Sequence, residues 1–170
     1  VTGVQTCALP ILHHMVTGVI VTQRGEYLGI ANGHDLLNLI TQRKQAELFY
    51  LAHYDHLTGA PNRMLVADRL RQACLEAERR NHLTALLFID IDRFKIINDS
   101  LGHSFGDAIL RLVVNRLKTA ARGEDTVGRL GGDEFVVLME NLEDATHAEV
   151  VARRMLEAMR APLEVLGHSL

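Results

Sequence analysis

Residues 129–139 read Arg-Leu-Gly-Gly-Asp-Glu-Phe-Val-Val-Leu-Met. Two apolar arms, Thr126 to Leu130 and Phe135 to Met139, flank a pair of glycines and a pair of carboxylates, which predicts a β-hairpin with a bare, acidic tip. Glycine takes positive φ without a steric penalty, so Gly131 and Gly132 permit a tight turn and let a phosphate approach the backbone. Asp133 and Glu134 follow at once and supply hard oxygen ligands of the kind Mg²⁺ takes. An ordinary turn with solvated acids would satisfy the same five residues, so the rest of the chain has to discriminate.

The chain has 170 residues, enough for one ordinary domain with a real core. Its formal charge of −3 offers no bulk basic surface, which argues against a nucleic-acid partner. Cys7 and Cys74 lie far apart, with neither metal-ligand spacing nor a disulfide framework, and suit a reducing cytoplasm. No apolar run reaches bilayer-spanning length, and no secretory leader is evident; a parent protein tethered elsewhere is compatible with both. The expected location is cytoplasmic.

Nothing in residues 1–11 continues the patterning downstream, and they are set aside as a non-native segment. Residues 12–34 read as the tail of an upstream module: Val16 to Val21 and Tyr27 to Ile30 are strand-like, with a turn at Arg24-Gly25-Glu26. With the following His-Asp-Leu-Leu, they resemble the closing half of a CBS-type sensory module; a plain linker hairpin reads equally well. Residues 35–52 predict a connecting helix capped by Asn32 or Asp35, with Leu36, Leu37, Ile40, Leu48 and Leu51 at helical spacing.

From residue 53 the patterning is that of a single domain. Asp55-His-Leu-Thr-Gly-Ala-Pro-Asn-Arg63 is a turn, after which Asn62 can cap a helix over 63–80 with Cys74 on its core side. Leu83 to Ile91 is a continuous apolar run, expected to be a strand covered on both faces. Helical spacing returns over 104–121, the hairpin follows, and a last amphipathic helix runs over 143–159. Helix, strand, helix, hairpin, helix predicts an α+β sandwich with a central, largely antiparallel sheet.

A second long motif occupies residues 90–107, Asp-Ile-Asp-Arg-Phe-Lys-Ile-Ile-Asn-Asp-Ser-Leu-Gly-His-Ser-Phe-Gly-Asp. Together with the turn at 55–63 and the hairpin tip, it resembles the GGDEF domain family, the diguanylate cyclases, over about residues 53–160. The resemblance implies a ferredoxin-like, palm-type fold similar to that of nucleotide cyclases. It implies condensation of two GTP into cyclic di-GMP and two pyrophosphates at a Mg²⁺ (or Mn²⁺) site shared by two domains, hence a homodimer.

By resemblance, Asp90, the backbone carbonyl of Ile91, Asp133 and Glu134 hold the metal, Glu134 also serving in deprotonation, and Lys95 meets phosphate charge. Asn98 and Asp107 resemble the pair that reads guanine, and Gly131, Gly132 and His103 complete the substrate-binding set the resemblance implies. His103 either touches substrate or fixes the turn at Gly102, and Asp107 also fits a capping box with Ser104. Arg122 and Asp125, with five residues between Asp125 and Gly131, match the R-x-x-D site at which family members bind cyclic di-GMP as inhibitor.

One departure from the family stands out. Past Arg160 the family's later strand and phosphate-binding helix have no counterpart before Leu170, so residues 53–170 read as a GGDEF domain incomplete at its C-terminus. The expectation is an open sheet edge and little or no turnover by residues 1–170 alone. An EAL phosphodiesterase domain further along the parent is compatible with this. The competing function is a catalytically inactive GGDEF module that binds GTP or cyclic di-GMP as a regulatory sensor.

Overall fold

The computed structural model describes residues 4–8, 18–23, 26–162, 164–165 and 167–169. They divide into two units, Val1–Tyr50 and Leu51–Leu170.

In the first unit, β1 (Val4–Ala8), β2 (Gly18–Gln23) and β3 (Glu26–Asn32) form an antiparallel sheet in that order. Val4 to Ala8, part of the stretch set aside as foreign to the fold, pairs along β2 from Gln23 to Val19. Of the strands expected over 16–21 and 27–30, β2 and β3 pair antiparallel, while Val16 and the turn residues Arg24 and Gly25 lie outside the described residues. Helix α1 (Gly33–His53) follows, slightly longer than the 35–52 expected. Leu37, Ile40, Leu48 and Leu51 of its apolar stripe are all exposed.

The second unit is built on an antiparallel sheet in the order β4 (Leu83–Ile89), β6 (Glu134–Leu142), β5 (Thr126–Gly131). β6 is central and almost wholly buried, and its residues alternate between two layers. Phe135, Val137 and Met139 join the main core with α4 (His103–Ala120) and α5 (Ala145–Arg160), through Ile109, Val113, Leu117, Val151 and Met155. Helix α2 (Arg63–Arg80) packs against the same three strands and buries Leu65, Val66 and Ala73.

Several sequence expectations need correction. β4 was expected to be covered on both faces because its run is continuously apolar. It lies instead at an edge of the sheet, and Phe88 is 68% exposed. The doubly covered strand is β6, where sheet position decides burial. A groove between β4 and α5 is lined by Phe88, Leu117, Met155 and Met159 among others. Cys74, placed on the core side of α2, is exposed, because one residue of helix rotation separates it from buried Ala73. Two helices, not one, separate β4 from the hairpin: α3 (Phe94–Leu101) and α4, broken at Gly102.

Two helix starts follow side-chain chemistry. Asn62 Oδ1 accepts from the backbone N–H of Met64 at 3.0 Å and Leu65 at 3.1 Å, the expected cap of α2. Asp144 caps α5, accepting from Thr146 N at 2.8 Å. The capping box expected at Ser104–Asp107 is not formed: α4 starts at His103 with Gly102 as its cap and no side-chain cap bond. After α5, Glu164–Val165 (β7) pairs with His168–Ser169 (β8), and Val165 is buried in the main core. Arg116 of α4 ties this end down by donating to the carbonyls of Ala158, Ala161 and Pro162.

Candidate functional site

The hairpin turn is the tightest local constraint. Gly131 pairs with Glu134, leaving Gly132 and Asp133 as the two central residues. Gly132 has φ +52°, and Asp133 is not among the positive-φ residues, the pattern of a hairpin turn with glycine at its first central position.

The β4–β6 register brings the second acidic segment to this tip. Ile89 pairs with Phe135, so the next residue, Asp90, comes level with Glu134 where the ladder ends. The electrostatics agree. Asp90 is exposed, yet its carboxyl lies above the ordinary carboxylate range. Local loss of water contributes most, followed by the negative charges of Asp133, Asp92 and Glu134. Acids that repel one another at one sheet end are a donor set suited to a hard divalent cation. The carbonyl of Ile91 already accepts from Phe94 N at 3.2 Å and keeps its second lone pair. Among the described residues no three His, Cys, Asp or Glu close into a ready-made cluster, so these acids converge without being assembled.

A cleft of about 470 Å³ opens beside the tip, lined by Arg63, Phe88, Asp90, Leu130, Glu134 and Phe135 among others. Arg63 Nη2 stands 3.9 Å from Glu134 Oε2, with both side chains largely in solvent. None of Lys95, Asn98, His103 and Asp107 is in the walls of this cleft. Lys95 and Asn98 are on α3, and His103 and Asp107 are one turn apart on α4. Lys95 and His103 are exposed; Asn98 and Asp107 are half-buried. Asn98 Oδ1 is buried without a hydrogen-bond partner.

Arg122 and Asp125 precede β5 at its far end from the tip; Asp125 is six strand steps from Gly131, roughly 20 Å at about 3.3 Å per residue. Asp125 Oδ2 accepts from Arg122 N at 2.8 Å, which leaves the Arg122 side chain exposed. With Arg69 and Lys118 they line a separate cleft that carries three cationic side chains.

The residue that sequence reasoning passed over is Arg129. Its guanidinium donates to both oxygens of Asp55, at 2.9 and 3.0 Å, and to the carbonyl of Gly132, from Nε at 3.0 Å and Nη2 at 2.7 Å. Its backbone N–H meets the Pro61 carbonyl at 2.9 Å. One side chain thus clamps the turn at 55–63 onto the acidic tip. The pair is largely buried, with side chains 10% and 16% exposed. Burial raises the Asp55 carboxyl, but hydrogen bonds from Thr58 and Arg129, with the guanidinium charge, outweigh it and hold it below its ordinary value. The available signal was a lone cation inside an apolar strand arm.

Residues 52–170 match the family described as diguanylate cyclase, GGDEF domain. The chain is 44% identical over 126 residues to the bifunctional diguanylate cyclase/cyclic di-GMP phosphodiesterase MucR of Pseudomonas aeruginosa, covering 74% of this chain and 18% of that protein. It is 42% identical over 124 residues to the diguanylate cyclase TpbB of the same species, covering 73% of this chain and 28% of that protein. The solved GGDEF domain of TpbB superposes with a TM-score of 0.67 at 41% identity, covering 69% of each chain. The coiled coil and GGDEF domain of DgcB from Caulobacter crescentus, solved in complex with c-di-GMP, superposes with a TM-score of 0.67 at 29% identity, covering 76% of this chain and 69% of that one. The chain spans less than a third of MucR and of TpbB.

Proposed function

The chain belongs to the GGDEF family, and from that premise we propose that it is the catalytic segment of a diguanylate cyclase, condensing two GTP into cyclic di-GMP with release of two pyrophosphates. The observation that carries this reading is the meeting of Asp90 with Asp133 and Glu134 at the end of the β4–β6 ladder, beside the bare Gly132 turn. A magnesium or manganese ion held by Asp90, the Ile91 carbonyl, Asp133 and Glu134 would supply Lewis-acid polarisation of phosphate oxygens.

The protein's own groups do the rest. The glycine backbone at 131–132 leaves room for phosphates, and Lys95 meets their charge. Glu134 takes the proton of the attacking 3′-hydroxyl. Asn98 and Asp107 read the base. Each half of cyclic di-GMP comes from one GTP, so two copies must face each other, and the catalytic species is a homodimer. Location in the cytoplasm, where GTP is supplied, fits this chemistry.

The test is turnover by the parent polypeptide that carries this segment. GTP with Mg²⁺ is expected to give cyclic di-GMP and pyrophosphate, and ATP is expected to give neither. Binding of GTP or cyclic di-GMP without any turnover, with the metal present, would move the reading to a regulatory nucleotide-binding module.

We assign product feedback to the cleft at Arg122 and Asp125. Its cations suit the phosphates of cyclic di-GMP, and its distance from the tip separates inhibition from chemistry. Arg122→Ala is expected to leave initial velocity unchanged within about twofold, since a substitution this far from the site acts independently of it. Its progress curves should stay straight where those of the native enzyme bend. Curves that bend at the same product level in both would return Arg122 to an ordinary surface role.

A further inference from the structure

We propose that Gly106 is a positioning residue for base recognition: its bare backbone is the floor on which the Asn98 carboxamide lies. The inference rests on the reading of Asn98 as a base-contacting residue and adds what holds that side chain in place.

Helices α3 and α4 are set against each other by the break at Gly102, where φ is +87°. Asn98, in the second half of α3, therefore comes over Gly106, in the first turns of α4. A Cβ built on Gly106 would stand 1.9 Å from Asn98 Oδ1 and 3.0 Å from its Cγ. It would also stand 3.1 Å from Cζ of Phe94, so the ring closes the slot beside the amide. Phe94 is itself buried and cannot swing out without opening the core. No side chain other than hydrogen fits at position 106 while Asn98 keeps this place.

Helix formation does not explain the glycine. Gly106 is buried inside α4, where alanine would make the better helix. Nor does ordinary hydrogen bonding explain the amide, because its oxygen is buried without a partner. With Oδ1 held against the floor, the Nδ2 donors are the part of the amide left to meet a ligand. Guanine carries the O6 acceptor where adenine carries an N6 amine donor, so a fixed amide donor donates to the first and is opposed by the second. Asp107, next to Gly106, supplies the complementary acceptor for the guanine N1 and N2 donors. A carboxamide free to turn would offer donor or acceptor equally and would select neither base.

The experiment is a nucleotide titration of the 170-residue chain with Mg²⁺, followed by NMR chemical shifts, using GTP and ATP as the probes. The native chain is expected to favour GTP, and Asn98→Ala to reduce that preference by at least about tenfold, as when a site's hydrogen-bonding group is lost. Gly106→Ala is expected to reduce it as far, because the added methyl group displaces the Asn98 amide from its place. In Asn98→Ala, which lacks the amide, adding Gly106→Ala should change nothing further. A GTP preference retained by Gly106→Ala, or a further loss in the double variant, overturns the proposal. If Gly106→Ala does not fold, the double variant decides: recovery of the fold supports the steric coupling, and failure of both overturns it. A native chain with no GTP preference, or an Asn98→Ala variant that keeps it, sinks the base reading itself and the role of Gly106 with it.

Discussion

Asp133→Asn and Asp90→Asn are each expected to abolish cyclic di-GMP synthesis by the parent enzyme while leaving the fold intact. The loss should be roughly two to three orders of magnitude in turnover, the scale seen when one preorganised charge-stabilising group is removed from an active site. Asparagine nearly matches aspartate in shape, so packing at the tip is not disturbed. Stability should move the other way for Asp90→Asn. The Asp90 carboxyl titrates above its ordinary value, with loss of water first and the charges of Asp133, Asp92 and Glu134 next among the causes. An acid whose folded pKa is raised is held charged at a disadvantage above that pKa, and the disadvantage disappears as pH falls through it. The neutral variant removes this at neutral pH, so its melting temperature should equal or exceed that of the native chain. Product formation by liquid chromatography and thermal unfolding on the same preparations check both halves. Near-native synthesis by either variant would remove that residue from the metal site.

Arg129→Ala is expected to be the most damaging single change to the fold of this domain away from its apolar core. It leaves Asp55 buried without its cation and the Gly132 carbonyl without its donors. Breaking a buried ion pair from one side typically destabilises by about 3–5 kcal/mol. Asp55→Ala should cost a similar amount, and the double variant less than the sum of the two, because neither then strands a charge. The pH dependence has a definite sign. The folded pKa of Asp55 is depressed below 3.8, so the pair's contribution is fully present above about pH 4 and is lost as pH falls through the lower folded value. Acid unfolding of the native chain should show this loss, and Asp55→Asn should flatten that part of the curve. Denaturant titrations at pH 7 and pH 3 measure it. Equal stability of native and Arg129→Ala chains at pH 7 would exclude the clamp. The clamp also links two motifs far apart in sequence, so loosening it should lower turnover in the parent beyond what stability alone explains.

The distinction between what residue order dictates and what packing decides falls along a clear physical line. Local chemistry was legible. The two-residue turn at Gly132 and Asp133 follows from glycine's access to positive φ, and the start of α2 follows from the reach of the Asn62 side chain to two backbone donors. The arms at 126–130 and 135–139 follow from two apolar runs separated by turn residues. The α+β class follows from element order, and the acids at 90, 133 and 134 were identifiable from motif resemblance.

Long-range placement was not legible. β4 and β6 are both apolar runs, and only the sheet order makes β6 central and leaves Phe88 of β4 in solvent. An apolar strand looks the same in sequence whichever neighbour it acquires. Cys74 and Ala73 differ by one step of helix rotation, too little for spacing alone to resolve when both are small. The capping box at Ser104–Asp107 was overruled by the helix break at Gly102, which makes Gly102 rather than Ser104 the cap of α4. Two pairings that shape the proposed site join residues no local pattern connects. Arg129 meets Asp55 across 74 residues because β5 brings the hairpin beside the turn at 55–63. Gly106 meets Asn98 because one glycine sets the angle between two helices. Residue types and their spacing determined which chemistry this chain can perform; the tertiary structure decided which side chains stand close enough to hold that chemistry in place, because ion pairs and steric contacts act over a few ångströms of space whatever their separation along the chain.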